Sequence, residues 1–413
     1  MRRRVVVTGL GAITPVGNDV ATTWQNLLAG VSGGAPITKF DASTFKVRFA
    51  CEVKGFDVGL YMDRKEAKRA DLFTQYAMGA SVQAMQDAGL SEGGFVAEEC
   101  GVIIGSGIGG LATMEDQHSV LMTSGNKRIS PFFIPMYIAD IAAGVVSMRF
   151  GAKGPNYATM SACSTSAHAI GEAFRTIVYG DADVMIAGGA EAAVLPMAIG
   201  GFGNMTALSE RNDEPSTASR PFDATRDGFV LGEGAGVVVL EELEHARRRG
   251  ARIYGEVLGY GATGDAYHLT GQPDAHEGLQ RAMRRALRDG GLQPADVDYV
   301  NAHGTSTPLN DPNEIKAIKA VFGEHAAALS VSSTKSATGH MLGAAGGVEF
   351  IACALALRDQ VVPPTINYRT PDPECDLDVT PNTPKTRALR VAISNSSGFG
   401  GHNVSLALRG WHE

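Results

Sequence analysis

Short blocks of consecutive apolar residues alternate along this chain with longer stretches in which apolar positions recur every three or four residues. Arg4–Thr8, Cys100–Gly105, Val184–Ala187, Gly236–Leu240 and Ile253–Tyr260 are of the first kind and predict buried strands. Glu66–Ala88, Ala139–Arg149 and Gly278–Arg288 are of the second kind and predict helices; in the last, Leu279, Met283 and Leu287 fall at helical spacing. Strands and helices alternating in this way predict an α/β architecture with sheets covered by helices.

The pattern also repeats weakly. Tyr157–Cys163 is a short extended run leading into a small-residue helix that reaches Val178, and Leu329–Thr334 is a similar run followed by the small-residue stretch Gly339–Leu357. The repeat predicts two similar halves, residues 1–250 and 251–413, packed about a pseudo-dyad that brings Cys163 and His340 together. No Pro/Ser-rich linker marks the junction near Arg247–Gly250, so the halves are expected to share one body.

Composition narrows the class. With 44% hydrophobic and 19% charged residues the chain has the makings of a large core, and 51 glycines in 413 residues foretell many tight turns. A net charge of −8 argues against wholesale nucleic-acid binding, which needs a basic face. Five cysteines, odd in number and without a CxxC, fit a reducing compartment. The start, Met1-Arg2-Arg3-Arg4-Val5-Val6-Val7, imitates a signal peptide, but its apolar run stops after three valines. No run of about 18 apolar residues occurs, and a cytoplasmic location is expected.

Three segments carry the candidate chemistry. Cys163 lies in Ser161-Ala162-Cys163-Ser164-Thr165-Ser166, at the expected first turn of a helix, where free N–H groups and the helix dipole favour a thiolate. His303 lies in Asn301-Ala302-His303-Gly304-Thr305-Ser306-Thr307, after the predicted strand Val297–Asn301. His340 lies in Thr338-Gly339-His340-Met341-Leu342-Gly343. One thiol with two such imidazoles suggests an acyl-carrying cysteine beside two groups that manage charge. His118, His245, His276, His325 and His412 read as ordinary core or surface residues. A zinc site made from Cys163, His303 and His340 competes with this reading, but no HExxH or CxxC accompanies it. Gly105–Gly110 satisfies GxGxxG, yet no strand ending in an acidic residue follows to hold a ribose, so it reads as a pocket wall with Ile108 pointing inward. Gly398-Phe399-Gly400-Gly401, after the predicted strand Arg390–Ser394, is suited to present a backbone N–H to an oxyanion. A Lys335–Glu349 ion pair in a supporting electrostatic role is expected.

Taken in order, Ser161–Ser166, Asn301–Pro308, Ser333–His340 and Gly398–Gly401 resemble the β-ketoacyl-[acyl-carrier-protein] synthases, most of all the elongating synthase II branch, and the similarity runs from Arg4 to Leu406. The resemblance implies a thiolase-like fold with a duplicated five-layered αβαβα body, a homodimer, and acyl carrier protein as partner. It makes Cys163 the acylated nucleophile, His303 and His340 its catalytic partners, with Lys335 in support and the Phe399 N–H in the oxyanion hole. The substrate-binding set it implies is Ile108 and Phe202, with Thr270, Thr305 and Thr307 toward the phosphopantetheine arm, and Glu349 and Gly400. Carrier docking falls to Lys65, Lys68 and Arg69, which with Arg64 recur in a predicted helix, and to Lys127 and Arg128. Thr206 departs from the family pattern, where a basic residue is frequent. No metal or other cofactor is implied. A type II polyketide ketosynthase is the alternative within the family, and a nucleotide- or acyl-binding protein without turnover the alternative outside it.

Overall fold

The computed structural model describes residues 2–411, so His412 lies outside the described residues. Ten strands form one continuous sheet: β1 (Val5–Ile13), β2 (Cys100–Gly105), β3 (Asn156–Tyr157), β4 (Val184–Glu191), β5 (Gly234–Glu242), β6 (Gly255–Gly264), β7 (Tyr299–Asn301), β8 (Ser330–Ser332), β9 (Val391–Gly398) and β10 (His402–Gly410). Their spatial order is β3-β2-β4-β5-β1-β6-β10-β9-β7-β8. Counted from the junction of β1 with β6, each side runs first, fifth, fourth, second, third strand. On each side the outer three strands are parallel and the inner pairings antiparallel. The same topology is thus used twice.

The longest helices that pack on this sheet are α1 (Leu72–Asp87), α2 (Ile141–Phe150), α3 (Thr165–Tyr179), α4 (Glu277–Asp289), α5 (Asn310–Phe322) and α6 (Ala345–Asp359). Successive strand side chains point to opposite faces, and here the two faces enter different cores. Met185 and Ala187 of β4 join Val238 and Leu240 of β5 in a core shared with α3 and α6. Val184 and Ile186, with Val237 and Val239, face α1 and α2 instead. On the other side Ala392, Leu406 and Leu408 belong to the first core, while Ile393 and Ala407 pack with α4 and α5. The result is five layers, α/β/α/β/α, in which the strands inside the sheet are buried on both faces and the edge strand β3 is exposed. That is why strands such as β1 read as unbroken apolar runs. Full burial of one Leu, Ile or Phe side chain contributes about 1.5–3 kcal/mol.

Glycine sets the spacing of the layers. A Cβ on Gly9 or Gly11 of β1 would run into the carbonyl oxygens of Ala84 and Ala80 of α1. A Cβ on Gly259 or Gly261 of β6 would run into those of Ala286 and Ala282 of α4. The last residue of each helix then accepts a strand N–H: Leu10 N donates to Asp87 at 3.0 Å and Tyr260 N to Asp289 at 3.0 Å.

Element boundaries differ from expectation where turns intervene. The pattern Glu66–Ala88 is two helices, Arg64–Ala67 and α1, because Asp63 and Asp71 each cap a new start. The stretch Gly339–Leu357 begins as a loop and a 3-10 turn, Leu342–Ala344, before α6. Strand β9 runs past its expected end at Ser394 to Gly398, because it pairs with β10 as far as Gly398–His402. The register of the repeat also changes. Ala162 (φ 51°) and Leu342 (φ 45°) are both left-handed, each opening a 3-10 turn into a long central helix. The counterpart of Cys163 is therefore Gly343, not a residue of Leu329–Thr334. Among the described residues no helix is long and apolar enough to cross a membrane.

Candidate active site

Cys163 sits in the 3-10 turn Ala162–Ser164 ahead of α3, rather than within the first turn of the helix itself. Thr165 Oγ1 donates to the Ala162 carbonyl at 2.8 Å and Ser164 Oγ to that of His402 at 2.8 Å, fixing the turn. The backbone N–H groups of Phe399 and of Cys163 itself point at the sulfur. Two backbone donors beside one side chain suit the stabilisation of a negative charge that develops there. The thiol is not the thiolate that a helix start suggests. Burial pushes it up to about 12, with a smaller upward push from Glu191, against the positive charge of Lys335 and the two N–H donors. Only 8% of its surface is exposed, and desolvation of the anion outweighs the local dipoles.

His303 follows β7 and is held from behind. Its N–H and that of Gly304 both donate to the Glu314 carboxylate at 2.8 Å. His340 is placed by its N–H to the Val230 carbonyl at 2.7 Å and by Gly232 N to its own carbonyl at 2.9 Å. The two imidazoles lie edge to face with centroids 5.3 Å apart, and Phe229 packs on His340 at 5.3 Å. Burial holds both rings well below the ordinary imidazole value. The charge of Lys335 adds to the effect at both, and at His303 so do the two other histidines, His340 and His276. Both rings are therefore neutral near pH 7, each with one N–H to donate and one lone pair to accept.

A cavity of about 280 Å³ joins these groups. Cys163, His303, His340 and Phe399 line it with Ile108, Phe202, Thr270, Thr305 and Thr307. Thr305 and Thr307 share a hydroxyl contact of 2.9 Å, and Arg226 holds the Thr307 carbonyl at 3.0 Å. Three anticipated residues stand outside. Lys335 and Glu349 form an ion pair behind the cavity wall, so Glu349 does not line the substrate space; burial raises its carboxyl while Lys335 pulls it back. Gly400 turns away to give its N–H to the Leu269 carbonyl at 2.7 Å, leaving Gly398, Phe399 and Gly401 as lining. His276, read as ordinary, is a lining residue. Its Nε2 meets Asn403 Oδ1 at 2.9 Å, and Asn403 donates to Asp265 at 2.7 Å beneath the Phe399–Gly401 turn. Nothing short of the fold marks His276, since its partners are distant in sequence.

The basic docking candidates are all exposed. Lys65, Lys68 and Arg69 are exposed on and just after the short helix Arg64–Ala67, and Lys127 and Arg128 on a 3-10 turn. Arg69 stacks over Phe132 at 4.4 Å, which joins the two segments. Thr206 is exposed in a left-handed turn, φ 55°.

Duplicated topology in five layers, with a cysteine and two histidines converging between the halves, defines a thiolase-like protein. Residues 2–246 match the N-terminal domain model of beta-ketoacyl synthases and residues 254–369 the C-terminal domain model. The chain belongs to the β-ketoacyl synthase family. It is 54% identical over 407 residues to 3-oxoacyl-[acyl-carrier-protein] synthase 2 of Staphylococcus aureus strain N315, covering 98% of both chains. It is also 54% identical over 408 residues to the protein of that name from Synechocystis, covering 99% of this chain and 98% of the other. Among solved structures, a type II polyketide ketosynthase in complex with its acyl carrier protein superimposes with a TM-score of 0.91 at 37% identity, over all of both chains. A beta-ketoacyl synthase from Burkholderia phymatum gives 0.91 at 35%, over 99% of this chain and all of the other.

Proposed function

We propose that this protein is a 3-oxoacyl-[acyl-carrier-protein] synthase of the elongating, synthase II type. The observation that carries the reading is one cavity in which a buried thiol, two backbone N–H donors and two neutral imidazoles converge. Cys163 attacks the carbonyl of an acyl thioester, and the N–H groups of Cys163 and Phe399 hold the oxyanion. The carbon–sulfur bond to the carrier's pantetheine breaks and the proton lost by Cys163 ends on the departing thiol. A malonyl thioester then enters along Thr270, Thr305 and Thr307. Its carboxylate leaves as CO₂, and the enolate oxygen accepts the N–H groups of His303 and His340, which their neutral state leaves available. The enolate carbon attacks the acyl-Cys163 carbonyl, the bond to Sγ breaks, and the thiolate takes up a proton as the 3-oxoacyl thioester departs. This sequence calls for no metal or nucleotide. Lys335 acts through its charge.

The partner is acyl carrier protein, by likeness to the ketosynthase solved with its own carrier, and the Lys65–Arg69 and Lys127–Arg128 surface suits an acidic protein. A homodimer is supported by the short edge strand β3 and by Ile134, Met148, Tyr157 and Met160, large apolar side chains left exposed. The halves 1–250 and 251–413 would then form one catalytic unit, in a reducing cytoplasm that suits five free cysteines. Incubation with acyl carrier protein should leave an acyl adduct on the peptide containing Cys163, and malonyl carrier protein should then release CO₂. Absence of the adduct overturns the reading. The polyketide alternative rests on likeness at 37% identity against 54% for the fatty-acid enzymes. A product profile limited to one extender addition per loaded chain argues against it.

A further inference from the structure

Glu191, the last residue of β4, is fully buried, and the proposed catalysis leaves it without a task. Its two oxygens collect four donors from separate parts of the chain. Oε1 receives Ser106 Oγ at 2.8 Å and Ile108 N at 3.2 Å; Oε2 receives Gly107 N at 2.8 Å and Gly343 N at 3.0 Å. Ser106 Oγ in turn accepts Gly109 N at 2.9 Å, so the whole loop after β2 hangs on this carboxylate. A Cβ on Gly107 would lie 2.7 Å from Oε2 and one on Gly343 2.8 Å, so both positions must be glycine for the backbones to close on it. The loop and the turn held in this way supply two walls of the cavity, Gly107 and Ile108 from one half and Leu342 from the other. Ile108 packs in the apolar cluster that includes Cys163, Ile199, Phe202 and Leu342. The corresponding strand end in the other half, Gly398 of β9, carries no side chain. A Cβ there would meet Cys163 N at 3.1 Å. One strand end leaves room for the nucleophile's turn; the other inserts a carboxylate across the opposite turn.

We propose that Glu191 is a positioning residue that ties the Ile108 loop to the turn following His340 and thereby sets which acyl chains the cavity accepts. The proposal rests on the synthase reading above. A chain on Cys163 that ends short of Ile108 is indifferent to the loop. A longer one must pass a side chain whose backbone Glu191 holds out of the cavity. Once released, the loop settles into that apolar space and long chains must push it back.

The test measures acyl transfer to Cys163 from short-chain and long-chain acyl carrier proteins in the wild type and in Glu191→Gln, which keeps the shape but turns two donors toward N–H groups. Long-chain loading should fall roughly tenfold or more, with short-chain loading within about threefold of wild type. Gly343→Ala, which pushes on the clamp from the other side, should give the same skew and decides the matter if Glu191→Gln does not fold. An equal loss at both chain lengths, or none, overturns the proposal while leaving the synthase reading intact. A wild type that takes up neither chain overturns the synthase reading itself.

Discussion

The two halves share strand order, the glycine contacts between strand and helix, and a left-handed residue that opens a 3-10 turn into the central helix. They differ in what their loops carry. After the second strand of its half, the N-terminal loop bears Gly107 and Ile108 and the C-terminal one bears His303. Between the third strand and the central turn, the N-terminal half spends only 158–162 and arrives at Cys163. The C-terminal half spends 333–342, gaining Lys335 and His340, and arrives at Gly343. The N-terminal half thus brings Cys163 and the Ile108 loop to the cavity, and the C-terminal half brings the two histidines, the Phe399 turn and, behind the wall, Lys335. A duplicated scaffold gives two equivalent turns facing each other, and the chemistry comes from making them unequal.

The sharpest way to break this division is to remove the nucleophile. Cys163→Ala should abolish acyl-enzyme formation and condensation altogether, because the opposite turn offers only Gly343 and none of the other four cysteines, all buried, lines the cavity. Intact-mass measurement after incubation with acyl carrier protein is the check; an adduct on the variant would mean that the halves are not divided as described.

The next effect belongs to the C-terminal half. His303→Ala and His340→Ala should each lower malonyl decarboxylation by on the order of 10²–10³ and acyl loading by much less. The pH dependence follows from both rings being held well below 6.5. The donating neutral form persists as pH falls through about 6.5, so decarboxylation should show no acid loss with the midpoint of a free imidazole. The stability effect has a definite sign. Below about pH 6.5 the unfolded chain binds a proton that the buried ring refuses, so stability falls with acid and is fully present above that value. Relative to His340→Leu, the wild-type urea midpoint should therefore drop between about pH 7.5 and about pH 5.5.

These histidines were legible in the sequence because each stands in a compact segment beside glycine and hydroxyl residues, just past a strand or a tight turn. Cys163 was legible for the same reason, and the α/β alternation because strands buried on both faces read as apolar runs. The register of the repeat was not, since the extra residues of the C-terminal loop displace any alignment made on strand ends. Nor was the protonation of the thiol. The local dipoles at a helix start are visible in sequence, whereas the burial that overrides them is assembled from both halves. Nothing in the sequence marks Glu191 or His276, because a strand's last residue and a lone histidine acquire partners only through the fold.

The shared scaffold can be probed at matched positions. Gly11→Ala and Gly261→Ala should each destabilise the protein by about 1–3 kcal/mol, since each added methyl meets a helix carbonyl. Urea unfolding of both variants is the measurement. A marked inequality would show that one half bears the packing of the layers and the other only follows it.

The smallest expected effect concerns the outer surface, where the halves differ again. The basic candidates Lys65, Lys68, Arg69, Lys127 and Arg128 all belong to the N-terminal half, whereas the C-terminal half exposes Tyr267, Leu269 and Leu309 near the cavity. The N-terminal surface is tied to the pocket. Asp71, just past Arg69, receives Thr113 N at 2.9 Å on the helix that follows the Ile108 loop. The protein itself carries −8, so an acidic carrier is repelled at long range and must be drawn in locally. In the proposed complex, with Thr206 uncharged, that attraction is assigned to these five residues. Charge reversal at Lys65 and Lys68 should raise KM for carrier-linked substrate several-fold at low salt, and by less as the Debye length shortens from ~10 Å at 0.1 M toward ~3 Å at 1 M. Turnover of a small pantetheine thioester should be nearly unchanged, because it enters without touching the surface. Equal losses for both substrates would make the patch part of the fold's support, and the outer surfaces of the two halves would then not differ in carrier docking.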